Sequence, residues 1–340
     1  MTLKKTARLK QKNPLRRGGG GFFLGEFPKD LLGIKALNVS QLQTLLDEAA
    51  RFKGLSEIPG KKGEELKGKT VINLFFEPST RTRTSFEIAA RRLSADLLTM
   101  TPQATSLAKG ESLKDMMENL EAMRPDVIVV RHGASGIPGL LSKYTEAAVI
   151  SAGDGSHEHP TQALLDLFTV QEILGADALE GLHLVIVGDL AYSRVARSNI
   201  YAFKKMGARV TCVGPATLLP PGLESFGVHV STDLDRELPD ADVVMLLRIQ
   251  KERQEKMNFP SLAEYTRFFG LTKERFSRMK KEALIMHPGP INRGVEIDPD
   301  VADGLMGSGP KIVILDQVKN GIPVRMAVLS LWGCARRGGV

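Results

Sequence analysis

Cysteine is scarce in this chain: its 340 residues include only Cys212 and Cys334. Two thiols supply neither a disulfide framework nor a thiolate metal cluster, and a reducing cytoplasm suits them. Long apolar runs are missing too, since none approaches the ~18 residues of a membrane span. No internal repeat of solenoid type is visible. Acidic residues are missing from the first 21 positions, which carry Lys4, Lys5, Arg8, Lys10, Lys12, Arg16 and Arg17. Subtracting those seven from the 46 basic residues leaves 39 against 39 acidic ones, so the net charge of +7 belongs to the tail. That tail, "RLKQKNPLRRGGGG", has no helical period, no apolar h-region of a secretory signal and no aromatics among its bases. It reads as a disordered extension, with an interaction arm as the alternative. Neither a nucleic acid nor a membrane is expected as a partner.

What is present is ordinary for a globular protein: 42% hydrophobic and 25% charged residues, in a length that favours two domains. The stretch "LNVSQLQTLLDEAARF" predicts a helix opened by a capping box of Ser40 and Gln43 and running to about Phe52. From Thr70 onward, short apolar runs alternate with amphipathic segments. The runs are "VINLFF" (71–76), "DVIVV" (126–130), "AAVI" (147–150), "HLVIVG" (183–188), "ARVTCVG" (208–214), "DVVMLL" (242–247), "ALIMHP" (283–288) and "KIVIL" (311–315). They are continuous, as in strands buried on both faces. Helix candidates lie between them at 83–94, 113–123, 160–174 and 194–206. The fold class is therefore α/β, with mostly parallel sheets flanked by helices. Two such units of about 130 and 150 residues meet near "SAGDGSHEHPTQ". The helix that follows puts Ala163, Leu167, Val170 and Leu174 on one stripe and ends at Gly175. Ligands in such sheets sit beyond the carboxyl ends of the strands, so chemistry is sought just after each run.

The densest chemistry follows the first run, in "FFEPSTRTRTSFE" (75–87). A strand, a turn and a helix with Phe86, Ala89, Ala90 and Leu93 on one face place Ser79, Thr80, Arg81 and Thr82 at a helix N-terminus. Free backbone N–H groups and the helix dipole favour an anion there. Hydroxyls donate to phosphate oxygens, and a guanidinium pairs with them bidentately. One hydroxyl would read as a helix cap; four among two arginines read as an anion nest. Alternate groups alone can face a ligand, which assigns Arg81 to the anion and leaves Arg83 structural.

Other strand ends add to this. "DVIVV" leads into Arg131 and His132. The loop before Pro160 carries His157 and His159, but no Cys, Asp or Glu joins them at a convincing metal-ligand spacing. With Gln162, an imidazole there can orient a carbonyl and an amide. "HLVIVGDLAYSRVARSN" has one glycine where a dinucleotide site needs three, yet it brings Arg194 and Arg197 to a helix start. "DVVMLLRIQKER" supplies Arg248 and Gln250, and "LIMHPGPINRGVE" a His-Pro-Gly-Pro turn with rigid, exposed backbone carbonyls. "TSLAKGES" carries Lys109, which alone reads as a solvated lysine. There is no serine–histidine–acid set, no Walker lysine motif and no pair of glycosidase-type acids. Such an inventory binds a phosphorylated molecule beside a dicarboxylate and works by orientation and charge, with no metal or cofactor.

The segments "PSTRTRTSFE", "SLAKGESL", "VVRH", "HPTQALLDLFT", "VGDLAYSRVARS", "LLRIQKER" and "MHPGPINRGVEI" resemble, in order, the motif series of aspartate carbamoyltransferase catalytic chains, over about residues 30 to 338. Ornithine carbamoyltransferases share "STRTR" and "HPTQ" but typically carry a His-Cys-Leu-Pro turn and a Ser-Met-Gly segment, which are missing here. The resemblance implies transfer of a carbamoyl group from carbamoyl phosphate to the aspartate amine in pyrimidine biosynthesis. By motif, it places Ser79, Thr80, Arg81 and Thr82 on the phosphate and Thr82, Arg131 and His159 around the carbonyl oxygen. Gln162 and the carbonyls of Pro288 and Gly289 fall on the carbamoyl amide, Arg194, Arg248 and Gln250 on the aspartate carboxylates, and Lys109 also on the aspartate. Ser106 and Lys109 match a loop that reaches in from a neighbouring subunit, which makes the active unit a homotrimer with shared sites. A regulatory chain or a dihydroorotase is a possible further partner. The implied domains are a carbamoyl phosphate-binding unit at 22–158, an aspartate-binding unit at 159–322, and a C-terminal helix, 323–338, packing back on the first, with the active site between them. Departures from the pattern are Val195 where some relatives have threonine, Gly289 where a larger residue is usual, and a Ser106–Lys109 spacing one residue shorter than in some members.

Overall fold

The computed structural model describes residues 27–101, 110–249 and 261–334. The basic tail, Ser106, Lys109 and Gln250 lie outside the described residues. The first sheet contains β1 (Thr70–Phe75), β2 (Asp96–Met100), β3 (Val127–His132) and β4 (Ala148–Asp154), all parallel, in the order β2-β1-β3-β4. Its helices are α1 (Val39–Ser56), α2 (Thr80–Arg92), α3 (Leu113–Ala122) and α4 (Ile137–Leu141). Next comes α5 (Pro160–Leu174), which leads into a second parallel sheet. Its strands are β5 (His183–Val187), β6 (Arg209–Val213), β7 (His229–Ser231), β8 (Val243–Leu246), β9 (Leu284–Met286) and β10 (Lys311–Ile312), in the order β10-β9-β8-β5-β6-β7. The accompanying helices are α6 (Arg194–Lys205), α7 (Leu234–Glu237), α8 (Leu262–Phe269), α9 (Lys273–Arg278), α10 (Pro299–Ala302) and α11 (Ile314–Cys334).

The continuous apolar runs have a direct cause. Successive strand residues point to opposite faces, and both faces of each sheet are covered. Val71, Phe75, Val127 and Val129 enter the large core that includes residues of α1, α2, α5 and α11, while Ile72, Leu74, Ile128 and Val130 join Met116 and Met117 of α3. In the second sheet Leu184 and Ile186 belong to that large core, and Val185 and Val187 pack with Tyr265 and Phe269 of α8.

Several expectations need correction. The capping box of α1 is formed by Asn38 and Gln41, whose side chains each accept the other's backbone N–H at 2.9 Å, and the helix continues to Ser56. Ser40, already inside the helix, instead uses its carbonyl to accept the Thr44 hydroxyl. The "KIVIL" run pairs only at Lys311 and Ile312. The Val313 N–H still bonds the Ile285 carbonyl, but its own carbonyl accepts the Gln317 N–H and the chain turns into α11. That C-terminal helix therefore begins at Ile314, with Pro323 in its interior. No stripe describes α5, since every residue from Pro160 to Val170 is buried and Leu174 is 37% exposed. The helix is enclosed by β4, α1, α6 and α11. The sequence reading also passed over β2, an edge strand with little buried surface, and the three-residue β7.

α11 packs on α1, α2 and α5, and the Trp332 indole N–H donates to the Pro28 carbonyl at 3.1 Å. No helix among the described residues is long and apolar enough to cross a membrane. Asn38→Ala is expected to lower stability by about 1 kcal/mol, while Ser40→Ala changes it by less than about 0.5 kcal/mol, as read by urea titration.

Candidate active site

Each sheet has one place where strand order reverses: between β1 and β3 in the first, and between β5 and β8 in the second. The carboxyl end of β3 and the loops leaving β1, β5 and β8, with the turn after β9, line one cleft of about 860 Å3. This is where open α/β sheets form their sites. Five arginines border it (Arg81, Arg131, Arg194, Arg248 and Arg325) against one carboxylate, Glu77, among the described residues.

The anion nest is built as the sequence predicts. Ser79 is the N-cap of α2 in an extended conformation, and its hydroxyl makes no capping bond. The first-turn N–H groups of α2 and the hydroxyls of Ser79, Thr80 and the buried Thr82 border the cleft with Arg81. Partial burial and the nearby Arg248 both lower the Arg81 pKa, because a second cation makes its charge less welcome. Arg83 turns along α2 towards Glu87 at 3.7 Å. Opposite the nest, Gly289 adopts φ +65°, and a Cβ there would sit 2.5 Å from the Arg81 Nη1. The small residue admits the guanidinium.

Glu77 joins the two halves. Its Oε2 lies 3.2 Å from Arg131 Nε and 2.7 Å from Arg194 Nη2, pairing a residue at the end of β3 with one from α6. Arg131 also donates to the Ala152 carbonyl at 3.2 Å and Arg194 to the Gly155 carbonyl at 3.1 Å, so both forks are aimed from two sides. His159 is the N-cap of α5. Its N–H donates to the Ser198 hydroxyl at 2.8 Å, and that hydroxyl donates to buried Glu158 at 3.0 Å. Gln162 lines the cleft one turn along the helix. His157 faces Asp154 at 3.0 Å, and Arg197 lies over the Phe226 ring at 5.9 Å. Neither borders the cleft.

The cleft thus brings together Ser79, Thr80, Arg81, Thr82, Arg131, His159, Gln162, Arg194, Arg248, Pro288 and Gly289. Sequence reasoning missed Glu77, although it stands inside the quoted "FFEPST" turn. It missed Arg325, whose signal was a cation inside the apolar stretch "VRMAVLSLW" (324–332); fully buried, it has a pKa lowered to about 10 and stands 5.2 Å from the Phe86 ring. It also treated His287 only as part of a turn. The His287 Nδ1 accepts the Gly289 N–H at 2.8 Å, which puts the ring proton on Nε2. Burial, Arg81 and Arg248 push its pKa down to about 3, so it stays neutral.

Two family models cover almost all of this architecture. That of the aspartate/ornithine carbamoyltransferase carbamoyl-P binding domain matches residues 29–172, and that of the Asp/Orn binding domain matches residues 180–332. The chain belongs to the aspartate/ornithine carbamoyltransferase family. Within that family it is similar to the aspartate carbamoyltransferase catalytic subunit of Syntrophobacter fumaroxidans, at 55% identity over 90% of this chain and 98% of the relative. The catalytic subunit of Syntrophotalea carbinolica is 53% identical over 89% and 95%. Among solved structures, the aspartate transcarbamoylase of Trypanosoma cruzi in complex with carbamoyl phosphate and aspartate superimposes with a TM-score of 0.81 at 26% identity, covering 90% of this chain and 97% of that one. The ornithine carbamoyltransferase of Pyrococcus furiosus gives 0.76 at 30% identity, covering 89% and 96%.

Gly289→Ala is expected to push Arg81 out of place and weaken inorganic phosphate binding about tenfold or more by isothermal titration calorimetry, through backbone strain and the crowded guanidinium together.

Proposed function

We propose that the protein is an aspartate carbamoyltransferase, moving the carbamoyl group of carbamoyl phosphate to the L-aspartate amine to give N-carbamoyl-L-aspartate and phosphate. The observation that carries this reading is a single cleft in which the α2 nest with Arg81 opposes Arg194 and Arg248 from the second domain. The first holds the phosphoryl group of one substrate and the second the carboxylates of the other. The catalytic subunits named above support aspartate over ornithine, as does the His-Pro-Gly-Pro turn.

In this reading Ser79, Thr80, Arg81 and Thr82 hold the phosphate. The carbonyl oxygen lies among Thr82, Arg131 and His159, and the carbamoyl NH2 group donates to Gln162 and the Pro288 and Gly289 carbonyls. Arg194, Arg248 and Gln250 take the aspartate carboxylates. The amine attacks the carbonyl carbon, negative charge gathers on the oxygen, and fixed donors that were aimed before the reaction stabilise it. The C–O bond to phosphate then breaks. Phosphate leaves as a strong base and accepts the amine proton, so no separate general base is needed. Ser106 and Lys109 come from a neighbouring chain, the assembly is a cytoplasmic homotrimer, and pyrimidine biosynthesis receives the product.

Phosphate release from carbamoyl phosphate is expected with aspartate and not with ornithine; the reverse preference would overturn the assignment. His159→Ala should lower turnover ~100-fold or more while shifting carbamoyl phosphate affinity only slightly. Sedimentation velocity should give three chains.

A further inference from the structure

Behind Gln162 stands a carboxylate that no substrate contact uses. Asp166 lies one turn further along α5 and is fully buried. Its Oδ1 accepts from the Gln162 Nε2 at 2.9 Å and from the Gln317 Nε2 at 2.8 Å, and its Oδ2 accepts from the Asn199 Nδ2 at 2.8 Å. Gln317 then accepts the His287 backbone N–H on its own Oε1 at 2.9 Å, and the His287 ring accepts the Gly289 N–H at 2.8 Å. One side chain therefore ties α5, α6, α11 and the turn after β9.

The chemistry of these partners fixes their directions. An ionised carboxylate only accepts, so each amide bonded to it must present its NH2 group. Gln162, with its nitrogen committed, is left with its oxygen for the cleft that it lines. Gln317, with its nitrogen committed to the same carboxylate, holds the strand end that leads into Pro288 and Gly289.

We propose that Asp166 is a positioning residue which, on the carbamoyl-transfer reading, points the Gln162 side-chain oxygen at the substrate's NH2 group and holds the His287–Pro290 turn in register with it. One carboxylate thereby orients both sets of acceptors for the carbamoyl amide. A merely space-filling role would not call for an acid here, since burying a carboxylate is costly and an amide or apolar side chain would pack without that cost. The charge that acts on Asp166 is Arg325 of α11; its other partners are the three amides.

Burial raises the Asp166 pKa to about 6 against those hydrogen bonds. Protonation below that point gives the acid a donor of its own and removes the demand that Gln162 present nitrogen. Turnover then falls on the acid side. Stability runs the other way: with a folded pKa above the unfolded one, this group's contribution is full below about 4 and is lost as pH rises through about 6. Protonation of Asp166 therefore does not by itself destabilise the fold.

The test measures carbamoyl transfer to aspartate between pH 5 and 9 in the full-length chain. Asp166→Asn is expected to lower turnover by about tenfold to a hundredfold, to leave inorganic phosphate affinity within about twofold, and to abolish the acid limb. Asn199→Ala, which removes a bond that favours the charged form, should move the acid limb to higher pH and leave turnover at pH 8 within about twofold. Gln162→Ala combined with Asp166→Asn should be no slower than Gln162→Ala alone, because both act through one group. An Asp166→Asn chain with near-normal turnover and an intact acid limb overturns the proposal, as do losses that multiply in the double variant. If Asp166→Asn does not fold, an acid limb unmoved by Asn199→Ala overturns it. A wild-type chain that transfers nothing overturns the carbamoyl-transfer reading instead, and the proposal with it.

Discussion

Guanidinium groups gathered in one partly dry cleft repel one another, and the rest of the site is organised around that repulsion. Two unit charges about 4 Å apart at a surface-like dielectric interact by about 4 kcal/mol. Five arginines beside a single glutamate therefore make an arrangement that a polyanionic ligand relieves. Until one arrives, the cations are held by fixed acceptors: Glu77 for Arg131 and Arg194, and the carbonyls of Ala152, Gly155 and Gly321 for Arg131, Arg194 and Arg325. Such preorganisation is what electrostatic catalysis needs, since the dipoles are set before charge develops. It also explains why a histidine in this wall is neutral: His287, deep beside Arg81 and Arg248, cannot afford a further positive charge.

The two parallel sheets divide the labour. Each reverses its strand order once, and each reversal opens a crevice at the strands' carboxyl ends. The first crevice supplies a helix N-terminus and hydroxyls, groups suited to phosphate. The second supplies arginines suited to carboxylates. Residues from both line the one cleft of about 860 Å3. Glu77 is the electrostatic clasp, since one arginine partner ends β3 of the first sheet and the other opens α6, the helix after β5 of the second.

Much of this was legible in the sequence because chemistry and folding there obey the same local rules. The apolar runs were continuous, so parallel sheets followed, and the residues after the runs included four of the five arginines that line the cleft. The "HPTQ" helix was placed at its true bounds, Pro160 to Leu174. What escaped notice depends on contacts between distant segments. α5 looked amphipathic because a helical wheel cannot show that neighbours cover every side. Ser40 looked like a cap because it too stands three residues before a glutamine; only the backbone shows that Asn38 holds the position. Asp166 was one polar letter in an apolar helix, and its partners, Asn199 and Gln317, stand 33 and 151 residues away.

The path of α11 has a consequence for how the molecule is made. Residues made after the whole second sheet supply a wall of the lobe that precedes it: Trp332 reaches back to Pro28, and Cys334 donates to the Glu65 carbonyl. The amino-terminal sheet must wait, one helix short of a closed core, while the second lobe is being synthesised. Of the two halves, the one begun first is completed last.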